Sequence, residues 1–478
     1  MKQLIRRLRH NLSSLIAPGV TDPYTLPRED VRAAMANPLA RREMIEFSRQ
    51  EYARNPYYKS VINKLSNHVI GPSPTIIGMG RDDVSNNTME DLYTDWSQSN
   101  NIGKALRLLR RDAALTGLGL LIPKKHTQSP HLVKTSFKAY GADALKTPYN
   151  KGLHDRIYDG IEYDKDWEPI RFHFKNDILE DRFLRNVDDT TTYSIDEVLY
   201  WAEGYENGVM IPQPECVQAF TIYPYIRRFL QAVIEGEEFR QSFPMAVELD
   251  PKYYNINSQE KNSPPTGQFE YEPKMIPTLK PGMKLSGLPT GVSAADRERM
   301  VKMMAAAAAL CIDMPANLAN GDSADSNMAS AQVDIQPWKN KVYIDRFDLQ
   351  PIFRRTFKMW FDRGVLIERF FPSFVRRNHS NFFPHTYVFD PLFEHPDPLK
   401  NSNARAVDLA SGAATLNALY AQLGKNAKRE ISREADLLGI SYEEMAQIIL
   451  TNRSTLALKV LGDDEEETSS PDPQRQAR

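Results

Sequence analysis

Three observations predict an α+β chain of more than one domain. Apolar residues alternate through 161–174 with the period of strands. Long runs at 223–243 and 293–361 repeat their apolar residues with the period of helices. The 478 residues, 41% of them hydrophobic, suffice for two or three domains with a sizeable core.

In chain order, residues 1–44 read as an arm of loose helices punctuated by Pro18, Pro23, Pro27 and Pro38. Helical patterning over 46–69 places Tyr57, Val61, Lys64, Leu65 and His68 on neighbouring turns, and Gly71-Pro72-Ser73-Pro74 ends it. Helical stretches at 89–96 and 105–115 precede a short strand at 119–123. Strands at 161–163 and 170–174 flank the turn 164–169; Ile170, Phe172 and Phe174 face inward, and Arg171 and His173 outward. Residues 198–202 form another strand. The helix over 223–243 carries Ile226, Leu230, Val233 and Ile234 on one face, and 252–289 reads as an irregular β or loop excursion.

A capping box, Ser293-Ala294-Ala295-Asp296, opens a helix with the apolar stripe Met300, Met303, Met304, Ala307, Leu310 and Cys311. Pro315 stops it. The polar segment 317–327 then offers almost nothing to bury. Helical pattern resumes at Met328 and runs to Phe361, with kinks expected at Pro337 and Pro351 because each lacks a backbone donor. Residues 370–393 are aromatic and proline-rich, 403–423 are helical, and Ser441-Tyr442-Glu443-Glu444 caps a helix reaching about Leu461. The acidic run 463–467 and the polar tail behind it are expected to be disordered.

Net charge is -2, so no overall basic excess points to nucleic acid, although segregated charge is compatible with it. No segment has the apolar length of a membrane span. Met1–Ile16 sets Leu4, Ile5, Leu8, Leu12, Leu15 and Ile16 on one helical face with Lys2, Arg6, Arg7 and Arg9 elsewhere. An organellar presequence or a membrane-surface helix has that pattern; the basic helical pattern continuing through Arg54 favours an arm that packs on a neighbour. Cys216 and Cys311 read as reduced, buried thiols.

Enzyme chemistry finds no support. Gly103-Lys104 and Gly424-Lys425 lack the remainder of a phosphate-binding loop, Gly117-Leu118-Gly119 lacks the third glycine of a dinucleotide turn, and there is no nucleophile elbow. His379, His385 and His395 lie near Asp390 and Glu394, but their spacing fits no compact ligand pattern, and hydrogen-bonded histidines of an aromatic loop are the plainer reading. Asp82-Asp83 and Asp188-Asp189 read as solvated turns. Arg354, Arg355, Lys358, Arg376 and Arg377 could meet phosphates; a solvated helix face or intersubunit ion pairs explain them better. Arg297, Arg299 and Lys302 flank the Met/Ala stripe as candidate interface residues.

Four ordered stretches give the chain a family resemblance. They are Asn55-Pro56-Tyr57-Tyr58-Lys59-Ser60-Val61-Ile62 with Asn67-His68-Val69-Ile70-Gly71; the strand-turn-strand of Gly160–Phe174; Met314-Pro315 with Ser326-Asn327-Met328-Ala329-Ser330-Ala331; and Asp397-Pro398-Leu399-Lys400. Over about 45–460 the chain resembles the lambda-like portal proteins of tailed bacteriophages. It departs from that family in keeping only a Gly and a Pro at 208–212, and in having Met314 and Met328 where bulkier residues are usual.

The resemblance implies a portal-type ring subunit: an N-terminal arm (1–44), a wing (45–222), a first stem helix (223–243), a clip (244–290), a second stem helix (291–312), a tunnel loop (313–327), a kinked long helix returning to the wing (328–399), a helical crown (400–461) and a tail (462–478). It implies a dodecameric ring at a capsid vertex of the virion, made in the bacterial cytoplasm, that passes double-stranded DNA. Its partners would be the terminase large subunit, a head-completion adaptor, and the major capsid and scaffolding proteins, with no cofactor, metal or membrane. Asn317, Asn320, Asp322, Ser323, Asp325, Ser326 and Asn327 would line the channel. Subunits would meet through Arg297, Arg299, Met300, Met303, Met304, Ala307, Arg354 and Arg355. The loop's chemistry suits such a channel: cations clamped on phosphates bind DNA tightly, and this segment contains none. The competing readings are a DNA-binding or processing enzyme of a mobile element and a minor capsid component without a channel.

Overall fold

A computed structural model describes residues 38–79, 83–148, 156–175, 190–202, 213–242, 245–249, 283–287, 294–321, 328–367, 371, 385–389, 398–416, 419–420 and 427–452. Helix α1 (Pro38–Arg54) and helix α2 (Pro56–Ile70) occupy the stretch expected to be one helix with a loose arm before it. The break has a local cause. Asn55 is extended, and its Oδ1 accepts from the amides of Tyr57 (3.1 Å) and Tyr58 (3.4 Å), while Pro56 takes the first helical position, where no donor is needed. Met44, assigned to the arm from sequence, is fully buried. The remainder of the arm, 1–37, lies outside the described residues.

Strand β1 (Thr75–Gly78), helices α3 (Asp83–Ser99) and α4 (Ile102–Thr116), and strands β2 (Leu118–Lys125) and β3 (Thr135–Gly141) follow. Strands β4 (Ile157–Tyr158), β5 (Ile161–Tyr163), β6 (Pro169–Lys175) and β7 (Thr190–Ser194) form an antiparallel sheet in that order. Strand β8 (Leu199–Ala202) joins the edge of β2 to give the order β3-β2-β8. Both faces of β2 are covered. Leu118, Leu120 and Ile122 pack with Phe172, Phe174 and Ile161 of the four-stranded sheet, whereas Leu121 enters the main core beside α4. Gly119 permits that approach, since a Cβ there would stand 2.3 Å from the Leu109 carbonyl oxygen. His173, expected on the wet face of β6, is buried; it meets Glu162 across the strand pair at 3.3 Å and Thr192 at 2.8 Å.

Helix α5 (Ile222–Ser242), strands β9 (Met245–Leu249) and β10 (Met283–Gly287), and helix α6 (Ala294–Ala309) make a hairpin closed by an antiparallel ladder. Short helix α7 (Ala316–Asn320) is followed by α8 (Met328–Asp334), α9 (Gln336–Asp348) and α10 (Gln350–Leu366). The last three form one kinked rod. Backbone bonds continue across both joints, from Lys339 N to Ile335 O and from Phe353 N to Leu349 O, and each joint sits two residues before a proline.

Strand β11 (His385–Val388) pairs with β1. Helix α11 (Pro398–Ser411) ends at Gly412, whose φ of 77° reverses the chain where 403–423 was expected to be continuous. Helix α12 (Ala427–Leu438) and the helix over 442–452 bury Ile431, Ala435 and Met445 as a small separate core. The capping box forms: Ser441 N donates to Glu444 Oε2 at 2.9 Å, and Glu444 N donates to Ser441 Oγ at 3.2 Å.

Candidate functional site

The hairpin exposes what its sequence pattern would bury. Val301, Ala305, Ala308 and Ala309 of α6 face the core, whereas Met300 and Met303 are 44% and 62% exposed, Ala307 is exposed and Met304 half-buried. The Met/Ala stripe is therefore the outer face. Alanines let the inner face approach its neighbours closely, and the larger side chains are left outside. Arg297 pairs with Glu237 of α5, so the start of α6 lies beside the end of α5 and the two helices run antiparallel. Arg299 is exposed. Ser293, the expected capping residue, lies outside the described residues.

The polar segment is not wholly a loop. After the buried Met314, residues 316–320 close one helical turn with Ala319 inside, and Gly321 follows at a φ of 70°. Asn317 bonds locally within α7, its Oδ1 accepting from Leu318 N at 2.7 Å, and Asn320 is half-buried. Nor is the segment's base free of cations. Lys64 of α2 extends its ammonium to the Leu318 carbonyl oxygen at 2.5 Å, and burial pulls its pKa below the usual lysine value. Asp322, Ser323, Asp325, Ser326 and Asn327 lie outside the described residues.

Helix α2 also holds the rod on the far side. Trp338 Nε1 donates to His68 Nδ1 at 3.0 Å, which requires a neutral imidazole. Burial, then Lys64 and Arg346, lower the His68 pKa and keep it neutral. Arg346 donates to the carbonyls of His68 (2.8 Å) and Val69 (3.0 Å), covering acceptors at the end of α2. At the adjacent residue of α9, the fully buried Arg110 of α4 bonds Asp345 at 2.8 Å; Arg110 also bonds Glu215 at 2.9 Å, and Lys341 reaches Glu215 at 2.9 Å. Burial alone would raise the Glu215 pKa, but Arg110 and Lys341 outweigh it and bring it to about 2.

The other candidates sort plainly. Arg354 is exposed, but Arg355 donates to Ile195 O at 2.6 Å and so ties α10 to the four-stranded sheet. His385 stacks on Phe357 with ring centroids 4.0 Å apart; His379 and His395 lie outside the described residues. Cys216 is buried and Cys311 half-buried, both free, and their thiols are adjacent although far apart in sequence. Sequence reasoning missed Arg110, Glu215, Asp345 and Arg346. For Lys64 and His68 a signal existed, two polar residues one turn apart amid an apolar helix face.

A family model for phage portal proteins of the lambda family matches residues 23–340. The chain belongs to that family. Phage portal proteins are structural parts of the virion and not enzymes. Among solved structures, a chain of the virion of a native gene transfer agent particle is similar at a TM-score of 0.43 and 12% identity, covering 84% of this portal protein and 94% of that chain. One from the neck of the empty gene transfer agent particle has a TM-score of 0.42 and 11% identity over the same shares, 84% and 94%. An HK97 family phage portal protein from Corynebacterium diphtheriae has a TM-score of 0.27 and 11% identity, over 60% of this chain and 84% of that one. No curated protein matches the sequence. Among the described residues of this portal protein, no helix is long and apolar enough to cross a membrane.

Proposed function

We propose that copies of this chain close into a dodecameric ring at one capsid vertex, through whose centre double-stranded DNA is packaged and later ejected. In this reading α5 and α6 are the stem, and the excursion bounded by β9 and β10 is the clip, which docks the terminase large subunit and then a head-completion adaptor. Residues 313–327 face the aperture, α8–α10 form the long helix, and 400–461 the crown. Assembly in the host cytoplasm would bring contacts with major capsid and scaffolding proteins.

The observation that carries this reading is the outward apolar face of the hairpin. Among the described residues, Ile234, Met300 and Met303 of this helix pair are exposed. Head-to-tail contacts between copies would cover such a face and close a ring. Arg299, Ala307 and Arg354 lie exposed and Met304 half-buried, compatible with contact between subunits; Arg297 and Arg355 already hold partners within the chain.

The channel chemistry follows from the segment's composition. Each cation on DNA adds a phosphate contact and a ring multiplies that number by its subunits, so a cationic collar would bind DNA far more tightly than a cation-free one. Asn317, Asn320, Asp322, Ser323, Asp325, Ser326 and Asn327 would touch DNA sterically and through water. Negative-stain images of the purified protein should show rings with a central hole; compact single subunits at all concentrations would overturn the proposal. Replacing both Asp322 and Asp325 by lysine should leave rings intact and lower the packaged DNA per particle.

A further inference from the structure

We infer that Lys64 is a positioning residue for the channel segment: its ammonium caps the C-terminal end of α7 and holds the turn 316–321 against the body of the subunit. The inference rests on the reading of 313–327 as that segment.

A helix leaves its last carbonyls without partners, and a single turn has too few internal bonds to stand alone. In α7, Pro315 O and Asn317 O accept from Ala319 N and Gly321 N, at 2.9 and 3.0 Å. Leu318 O instead accepts from a side chain 254 positions away in sequence. A charged donor is stronger than a neutral one and favourable at the negative end of a helix. The amine is thus committed to a carbonyl and does not extend as a free cation toward a phosphate.

The position of Lys64 gives the contact its meaning. His68 lies one turn further along α2 and holds Trp338, so the chain leaves α2 near Leu318 and comes back to it near Trp338, about 6 Å along the same axis. Arg346 on α9 secures the return side with two further bonds to the α2 carbonyls. The departure side has Lys64 and the packing of Leu318 and Ala319 against the core. A lysine-to-methionine change keeps the stem's packing and removes the donor, so it should loosen the departure side alone.

Hydrogen exchange on assembled full-length rings tests this. Lys64→Met should speed exchange of the 316–321 amides about tenfold, the size expected for losing one charge-assisted bond, while β2 amides keep their wild-type rates. Lys64→Arg should restore slow exchange. Packaged DNA per particle should fall in Lys64→Met and recover in Lys64→Arg. Unchanged exchange at 316–321 in Lys64→Met overturns the inference, as does a uniform rise that includes β2. If exchange shifts as expected but packaging is indifferent both to Lys64→Met and to the double lysine replacement at 322 and 325, the channel reading fails while the cap stands.

Discussion

The aromatic core and the α5–α6 hairpin treat apolar side chains in opposite ways. Around Trp360, the rings of Tyr93, Trp96, Phe357 and Phe371 meet at centroid distances of 5.3–6.0 Å, and Trp96 and Trp360 are fully buried. On α5 and α6, Ile234 and Met303 are left in water. The first region satisfies its hydrophobicity within one subunit; the second leaves its apolar side chains exposed, to be covered in the proposed ring by a neighbouring copy. Exposure of this kind marks an association surface when it is contiguous and rimmed by polar residues. Internal stability and assembly should therefore respond to different substitutions.

The largest effect is expected in the core. Trp360→Ala should cost about 3–5 kcal/mol, measured by denaturant unfolding of dissociated subunits, because a rigid ring cluster cannot collapse into the space. Arg110→Met should cost a similar amount, about 3–5 kcal/mol, since two enclosed carboxylates, Glu215 and Asp345, are then left to share the single cation Lys341. Its pH signature separates the two variants. The folded pKa of Glu215, about 2, lies below its ordinary 4.5. Its contribution is therefore complete above pH 4.5 and lost as pH falls through about 2. Arg110→Met should lose the part of that acid limb due to Arg110, Lys341 keeping the remainder, and Trp360→Ala should retain all of it.

Ser441→Ala removes one capping bond from the small helical core. It should cost about 1 kcal/mol locally, read as faster hydrogen exchange over 442–452. Met303→Asp is the sharpest test of the contrast. Subunit stability should stay within about 0.5 kcal/mol of wild type, while ring particles in negative stain are lost. Were Met303→Asp to destabilise the dissociated subunit as much as Trp360→Ala does, the division between the two regions would be wrong.

Local chemistry made much of the architecture legible. Pro337 and Pro351 mark both joints of the rod, Gly71 ends α2, the turn at 164–169 separates β5 from β6, and the capping box at Ser441 forms as its residues dictate. What stayed hidden needed either two competing faces or a distant partner. On α6 the alanines make every face apolar, so periodicity cannot tell the methionine side from the inner one. His173 is buried because Glu162 lies across the ladder, a pairing that alternation cannot reveal. Gly412 interrupts a pattern that otherwise continues to Leu423. The candidate segment was visible as composition, a stretch without cations, and Lys64 and His68 as polar residues on an apolar helix face, but the contacts between them were not. Lys64 and Leu318 become neighbours only when the first long helices fold against the second half of the chain.

The two joints of the rod differ in what surrounds them. At Leu349 the backbone is fully buried, and its amide bonds the carbonyl of Asp345, whose side chain is gripped by Arg110. At Ile335 the neighbours Val333, Asp334 and Gln336 all face water. The upstream joint is thus the more exposed of the two, and the seven-residue α8 meets the rest of the rod just ahead of the Trp338 indole that His68 holds.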